Sequence, residues 1–284
     1  MLNKILGILK KKKPVRQTSV KLEDVGLEAA RAGQRAKVGS GVFGQVYEAA
    51  PGSVVKEISL ENKQDLLNEI NLQAKAAELG LAPKVQETYL GPPRIGDRTV
   101  AVEPGRNPKM RGEIVMEDLR QNYIPLGTSA ELMNPDLNPA QIKQAEVETY
   151  KQLSQLTLNG IKLGDRHGQN IFIHKLTNRP MQIDFGLAEK IETPSQQAGL
   201  LAYQVGSGLD AAGLKDEAQM FISLVNEVGQ FNNETMRYDA PEAALNMAKQ
   251  GLSRLQKIKP NDIKLIQEYN KNLQEAAYDQ LPVG

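Results

Sequence analysis

The chain contains no cysteine. Disulfides, thiolate catalysis and cysteine-ligated zinc are therefore excluded. Histidine is nearly absent as well: the only two, His167 and His174, lie seven residues apart, which argues against a histidine metal site. No stretch approaches the roughly eighteen consecutive apolar residues that a transmembrane helix needs. Charge of one sign is also lacking. The net charge is +1 over 284 residues, so composition gives no electrostatic argument for nucleic acid, and no specific nucleic acid is expected. What is present is length and apolar content: at 40 % hydrophobic, the chain can bury the core of one bilobal unit or two small domains.

The first 21 residues differ from the rest. Lys4, Lys10 to Lys13, Arg16 and Lys21 are all cationic, and no acid precedes Glu23. Leu2, Ile5, Leu6 and Leu9 share one helical face. The apolar part is short and most charges follow it, which is not the pattern of a secretory signal. Leu2 stands where myristoylation needs glycine. Two readings follow for residues 1–22: a basic, flexible, solvated tail, or an interfacial helix with a polybasic patch that contacts an anionic membrane. Glu23 to Lys37 reads as a short helix leading into the fold.

From Val38 the chain reads VGSGVFGQVYEA. Gly39, Gly41 and Gly44 form G-x-G-x-x-G, whose side-chain-free backbone can approach phosphate closely. Strand character continues past Val46, a turn falls at Pro51-Gly52, and a second strand, SVVKEI, carries Lys56. Here no helix follows the glycines, so the order is not that of a dinucleotide fold. The helix expected at Gln64 to Leu79 places Leu66, Ile70 and Ala77 on its apolar face and offers Glu69 as a partner for Lys56, with Glu61 as fallback. Leu81 to Tyr89 gives a strand. Gly91 to Arg111 is rich in proline and glycine and carries Arg94, Arg98, Arg106, Lys109 and Arg111. It reads as a solvated elaboration, with a docking surface as the alternative. EIVMEDL, Glu113 to Leu119, makes a further strand, and Pro139 to Leu158 a long helix closed by Asn159-Gly160.

The organising stretch is IKLGDRHGQNIFIHKLTNRPMQIDFGL, Ile161 to Leu187. Asp165 and Asn170 fall on a tight loop. Ile171 to Ile173 form a short apolar strand, Thr177 to Pro180 a turn, and Met181 to Ile183 a second strand ending at Asp184. Such a hairpin brings Asn170 and Asp184 together. Paired hard oxygen donors suit Mg²⁺, and Asp165 is left to orient or deprotonate a hydroxyl. That is equipment for moving a phosphoryl group.

These motifs resemble the protein-kinase-like superfamily. The resemblance covers roughly residues 36 to 190. It implies an α+β, bilobal fold, with a β-rich lobe over residues 23–117 and a compact, mostly helical lobe over 118–284. It implies ATP and Mg²⁺ as cofactors. Gly39, Ser40, Gly41, Phe43 and Gly44 would cover the phosphates, and Val46 would pack on the adenine. Lys56, braced by Glu69, would hold the phosphates. Met116 would stand as gatekeeper, with Glu117 and Leu119 at the adenine edge. Asn170 and Asp184 would hold the metal, and Asp165 would act on the acceptor hydroxyl. Ala188 to Lys215 would be the activation segment and Lys215 to Val228 a buried helix. Ala240-Pro241-Glu242 matches a common kinase signature but falls a helix too late, so it reads as coincidence. Helices are expected over Pro241 to Leu255 and Asn261 to Leu281.

The chain also departs from the family. Leu163 and Gly164 stand where most protein kinases have His-Arg. Without that arginine, no dependence on activation-loop phosphorylation is expected. His167 replaces the usual lysine, and GDRHGQN followed by IDFG is similar to phosphoinositide kinases and to HipA-type bacterial kinases. There the histidine assists proton removal or stabilises the moving phosphoryl; His174 reads as a strand-end surface residue. The expected function is a Ser/Thr protein kinase acting on a protein substrate. The alternatives are a phosphoinositide or small-molecule kinase, or a pseudokinase-type binding module. The compact build resembles bacterial effector or phage-encoded kinases, and a cytoplasmic or host-delivered location, membrane-peripheral if the tail binds, is expected.

Overall fold

The computed structural model describes residues 36–41, 44–60, 63–91, 110–127 and 134–278. The basic tail, the helix expected before Val38, the fallback Glu61 and most of the arginine-bearing stretch lie outside the described residues.

The amino-terminal half is a five-stranded antiparallel sheet in the order β1-β2-β3-β5-β4, with β1 Lys37–Gly41, β2 Gly44–Glu48, β3 Ser53–Leu60, β4 Val85–Gly91 and β5 Met110–Glu117. The β-branched run of β3 suits the centre of such a sheet. Register sets which side chains share a face: Val46 opposes Lys56, Lys56 opposes Ile114, and Val54 opposes Met116. Helix α1, Lys63–Glu78, packs on this half. Its buried residues Leu66, Glu69, Leu72, Gln73 and Ala76 recur at helical spacing. Leu66 lies so close to β5 that a Cβ on Gly112 would stand 2.4 Å from it.

The second half is mostly helical. A small sheet, β6 Tyr123–Pro125, β8 Ile171–His174 and β9 Pro180–Gln182, has the order β6-β8-β9. β7, Ile161–Lys162, pairs with β10, Glu189–Lys190, and β11, Phe231–Asn232, pairs with β12, Arg237–Tyr238. Helix α2, Pro139–Leu158, starts with a reciprocal cap between Asn138 and Gln141 and with Pro139 in its first turn. Gly160, at φ 76°, lets the chain turn out of it. The remaining helices are α3 Pro194–Ala211, α4 Lys215–Gly229, α5 Pro241–Lys257 and α6 Pro260–Tyr278.

One expectation fails in this half. Residues 188–215 are not an open activation segment. The chain passes through β10 and enters α3, where the Thr193 hydroxyl accepts from the Gln196 amide and Pro194 opens the first turn. Ala198, Leu201, Ala202, Val205 and Leu209 of α3 are buried in the largest apolar cluster, against Val225 of α4 and Ala244, Ala248 and Leu255 of α5. The small residues that read as loop are contact residues: a Cβ on Gly208 would lie 2.6 Å from Leu255. Ala240-Pro241-Glu242 opens α5, two helices beyond Asp184.

A second cluster joins the halves. Leu72 and Ala76 of α1 meet Leu153 and Leu156 of α2, together with Ile161, Leu163 and the fully buried Phe185. Lys75 of α1 also donates to the Asn159 carbonyl at the end of α2. The architecture is α+β and bilobal, with the kinase-like arrangement of a sheet half carrying one helix above a helical half.

Candidate active site

Lys56 stands at the centre of β3, on the face shared by Val46 and Ile114. Its ammonium lies 2.7 Å from Glu69 Oε1 and 2.6 Å from Asp184 Oδ1. The Lys56 and Glu69 side chains are 8 % and 4 % exposed, so a charge there has little water to lean on. Burial acts most strongly against the Lys56 charge, but Glu69 and then Asp184 outweigh it and hold its pKa above the ordinary value. On Glu69 burial prevails: it pushes the carboxyl up against the downward pull of Lys56. One cation facing two carboxylates leaves the trio with excess acidity, which suits the approach of a divalent cation.

The hairpin β8–β9 builds the lower wall. Ile171 pairs with Gln182, and the Ile183 amide donates to the Asn170 carbonyl at 2.9 Å, which sets Asn170 beside Asp184. Asp184 adopts φ 60°, a left-handed conformation that aspartate tolerates when its side chain bonds locally. Here Oδ1 accepts from the Gly186 amide at 3.2 Å. Phe185 then turns into the cluster between the halves and is 0 % exposed. Its burial anchors the loop that presents Asp184.

The loop before β8 closes with a 3-10 turn, Gly168–Asn170, in which the Asn170 amide donates to the His167 carbonyl at 2.9 Å. The Asn170 side-chain nitrogen donates to the Asp165 carbonyl at 3.3 Å, which leaves its amide oxygen as an acceptor. His167 Nε2 lies 3.3 Å from Asp165 Oδ2, and both side chains are about one third exposed. Lys56, Glu69, Asp184, Asn170, Asp165 and His167 thus form one connected run of direct contacts and backbone bonds.

Oxygen donors of this kind fit Mg²⁺ shared with phosphate. Asn170 offers a carboxamide oxygen, and Asp184 retains the carboxylate oxygen that Lys56 does not occupy. Among the described residues no group of three or more His, Cys, Asp or Glu is placed to hold a metal by itself. A cation here would draw its remaining donors from phosphate and water, as Mg²⁺ at nucleotide sites does.

The roof is the β1–β2 hairpin. Ser40 and Gly41 pair with Gln45 and Gly44, and the tip with Phe43 lies outside the described residues. Gly39 has open space where a Cβ would stand, whereas a Cβ on Gly44 would meet the Glu57 carbonyl at 2.2 Å. The first leaves room for a ligand, and the second is demanded by the sheet. At the rear, Met116 is buried and accepts from the Gln73 side chain at 3.5 Å. Leu119 is buried, and the Glu117 amide donates to the Lys84 carbonyl. A nucleotide contact at Glu117 would therefore use its carbonyl.

Three features escaped the sequence reading. Arg120 binds Asp118 at 2.7 Å and Glu48 of β2 at 3.1 Å, tying the inter-lobe connection to the glycine hairpin. Its hydrogen bonds hold the Asp118 carboxyl below the usual value. Only the i, i+2 pair was readable; Glu48 is remote in sequence. Gly164 has a steric reason: a Cβ there would lie 2.3 Å from the Leu187 carbonyl, because β7–β10 pairing presses these segments together. His174 is more than a surface residue. Its Nδ1 accepts from the Leu176 and Thr177 amides, and its ring meets Tyr123 edge-on at 4.9 Å.

No family model matches the chain, and no curated protein matches it in sequence. Among solved structures it is similar to the kinase PK-1 of Cydia pomonella granulovirus, at 16 % identity and a TM-score of 0.39, over 60 % of this chain and 60 % of the viral one. The match spans less than two thirds of the viral kinase's length. The bilobal kinase-like fold is carried by this chain's own sheet order, its Lys56–Glu69 pair and its Asn170–Asp184 hairpin.

Proposed function

We propose that this chain is an ATP-dependent phosphotransferase, and specifically a Ser/Thr protein kinase. The observation that carries the reading is the position of Lys56, bonded at once to Glu69 of α1 and to Asp184 of the lower half. A cation and a carboxylate joined at 2.6 Å between the two halves support a site there for the β- and γ-phosphates of a nucleotide and their metal ion. Mg²⁺, when bound, would neutralise developing phosphate charge.

The chain's own residues supply positioning and proton handling. Lys56 fixes phosphate oxygens, with its charge secured by two carboxylates. Asp165 accepts the proton of the acceptor hydroxyl as the new oxygen–phosphorus bond forms and the bond to the ADP oxygen breaks. His167, in contact with Asp165, either relays that proton or donates to the moving phosphoryl. The His167 replacement and its pairing with Asp165 also support a second reading, a phosphoinositide or small-molecule kinase with the same donor chemistry. Protein Ser/Thr specificity remains part of the proposal.

The test uses ATP labelled at the γ or the α position, with Mg²⁺ and generic protein acceptors, and phosphoinositide vesicles in a separate tube. The γ label should pass to protein and be lost in Asp165→Ala and Asp184→Ala. Label on lipid alone would move the assignment to the second reading. Transfer of the α label would mean nucleotidyl transfer and overturn both.

A further inference from the structure

Asp165 and His167 face each other across Arg166. With His167 extended and its side chain turned toward Asp165, the residue between them is expected to project away from the pair. Arg166 does so: its guanidinium carbon sits 5.4 Å from the ring centroid of Tyr203 on α3. Tyr203 is 51 % exposed, although α3 buries Ala202 and Val205 on its inner side. Tyr150 of α2 lies beside it, hydrogen-bonded to Ser207 one turn further along α3 and within electrostatic reach of both Arg166 and Tyr203.

Two facts give this cluster a use. Among the described residues, Arg166 has no carboxylate partner, unlike Arg120 and Arg254, which are paired. An arginine stacked on an aromatic face keeps its planar N–H edge available, and that edge matches a carboxylate or phosphate. Secondly, α3 occupies the place of an activation segment, so the described chain between Asp184 and α3 is short and leaves Leu187 46 % exposed. Among the described residues, the loop of Asp165 and the outer face of α3 then stand next to the proposed transfer site.

Resting on the protein-kinase reading, we infer that Arg166 and Tyr203 form the acceptor-recognition site and select a peptide with a carboxylate side chain next to the phosphorylated hydroxyl. Arg166 is adjacent to Asp165, and consecutive Cα atoms are about 3.8 Å apart, so an anion held by Arg166 belongs to a near neighbour of the reacting residue. The aromatic face of Tyr203 and the exposed Leu187 favour a peptide over a bare anion, because they offer apolar contact for flanking side chains.

The experiment compares steady-state γ-phosphoryl transfer to three peptide sets around one serine, with neighbouring positions acidic, neutral or basic. Wild type, Arg166→Gln, Arg166→Glu and Tyr203→Leu are assayed, with phosphoinositide vesicles in a parallel arm. Wild type should prefer the acidic set by about tenfold in kcat/KM, mainly through KM. Arg166→Gln should abolish that preference, Tyr203→Leu should weaken it, and Arg166→Glu should shift preference to the basic set. The shift cannot arise from misfolding. Equal use of acidic and neutral peptides by wild type, or a preference that survives Arg166→Gln, would overturn the inference while leaving the kinase reading intact. Transfer to no peptide, or to lipid alone, would overturn the protein-kinase reading and this inference with it.

Discussion

The two walls of the cleft are built on opposite principles. On the wall proposed to hold a nucleotide, Lys56 and Glu69 are nearly sealed from water and bonded at 2.7 Å. On the wall proposed to meet the acceptor, Asp165 and His167 are about one third exposed and 3.3 Å apart, and Arg166 rests on a half-exposed tyrosine. Burial makes the first wall part of the core, since Lys56 sits over the cluster of Val54, Ile58 and Ile114. The second wall is held by Asn170, whose side chain donates to the Asp165 carbonyl and whose amide donates to the His167 carbonyl, and the side chains of Asp165 and His167 can change without disturbing a core. Under the proposed function, activity and stability are thus coupled on one side and separable on the other.

Substitutions can break that contrast. The largest effect should come from Asp165→Asn: turnover falling by about 10² to 10⁴ while stability stays within about 0.5 kcal/mol of wild type. Single-turnover transfer and a urea melt measure the two together. An equally large loss of stability would erase the distinction between the walls.

Glu69→Ala should show the opposite signature. Removing one partner of a buried ion pair should cost about 3 kcal/mol or somewhat less, because Asp184 still contacts Lys56. A denaturation midpoint unchanged from wild type would contradict the burial argument.

Gly164→Arg introduces the arginine that most protein kinases carry before the corresponding aspartate. The Leu187 carbonyl stands 2.3 Å from the new Cβ, so stability should fall by about 1 to 3 kcal/mol. Calorimetric melting that leaves this variant as stable as wild type would show that β7 and β10 are not pressed together as described.

Alkaline pH separates the walls differently. The Lys56 pKa is raised above its ordinary 10.5. A raised value means that its contribution to stability is fully present below 10.5 and is lost as pH climbs through the folded value. The stability difference between wild type and Lys56→Met should therefore hold steady through neutral pH and shrink only in strong alkali. A difference already shrinking near neutral pH would mean that the carboxylates do not sustain the charge. The smallest effect belongs to Arg120→Ala. Its side chain is 45 % exposed, so losing its pairs with Asp118 and Glu48 should cost about 1 kcal/mol or less.

The same contrast explains what the sequence discloses. Lys56, Asn170 and Asp184 are readable because strand pairing locks their spacing, and a one-residue slip would turn them to the wrong face. Glu69 is readable from the apolar stripe of α1 around it. Helix α3 is not readable as a buried helix, since Gly199, Gly206, Ser207 and Gly208 look like loop until Ile222 is seen against Gly206 and Leu255 against Gly208. Its start was signalled by Thr193-Pro194, a cap followed by proline, which the polar flanks obscured. The Arg120–Glu48 bond and the Gly164–Leu187 approach depend on partners brought near only by folding.

The most direct test of the proposed nucleotide wall is calorimetric titration of wild type, Lys56→Met and Asp184→Asn with ATP, with and without Mg²⁺. Mg²⁺ should strengthen ATP binding to wild type by about tenfold or more, Asp184→Asn should lose that gain, and Lys56→Met should bind weakly in both conditions. Binding indifferent to Mg²⁺ in wild type, or a gain that survives Asp184→Asn, would contradict the account.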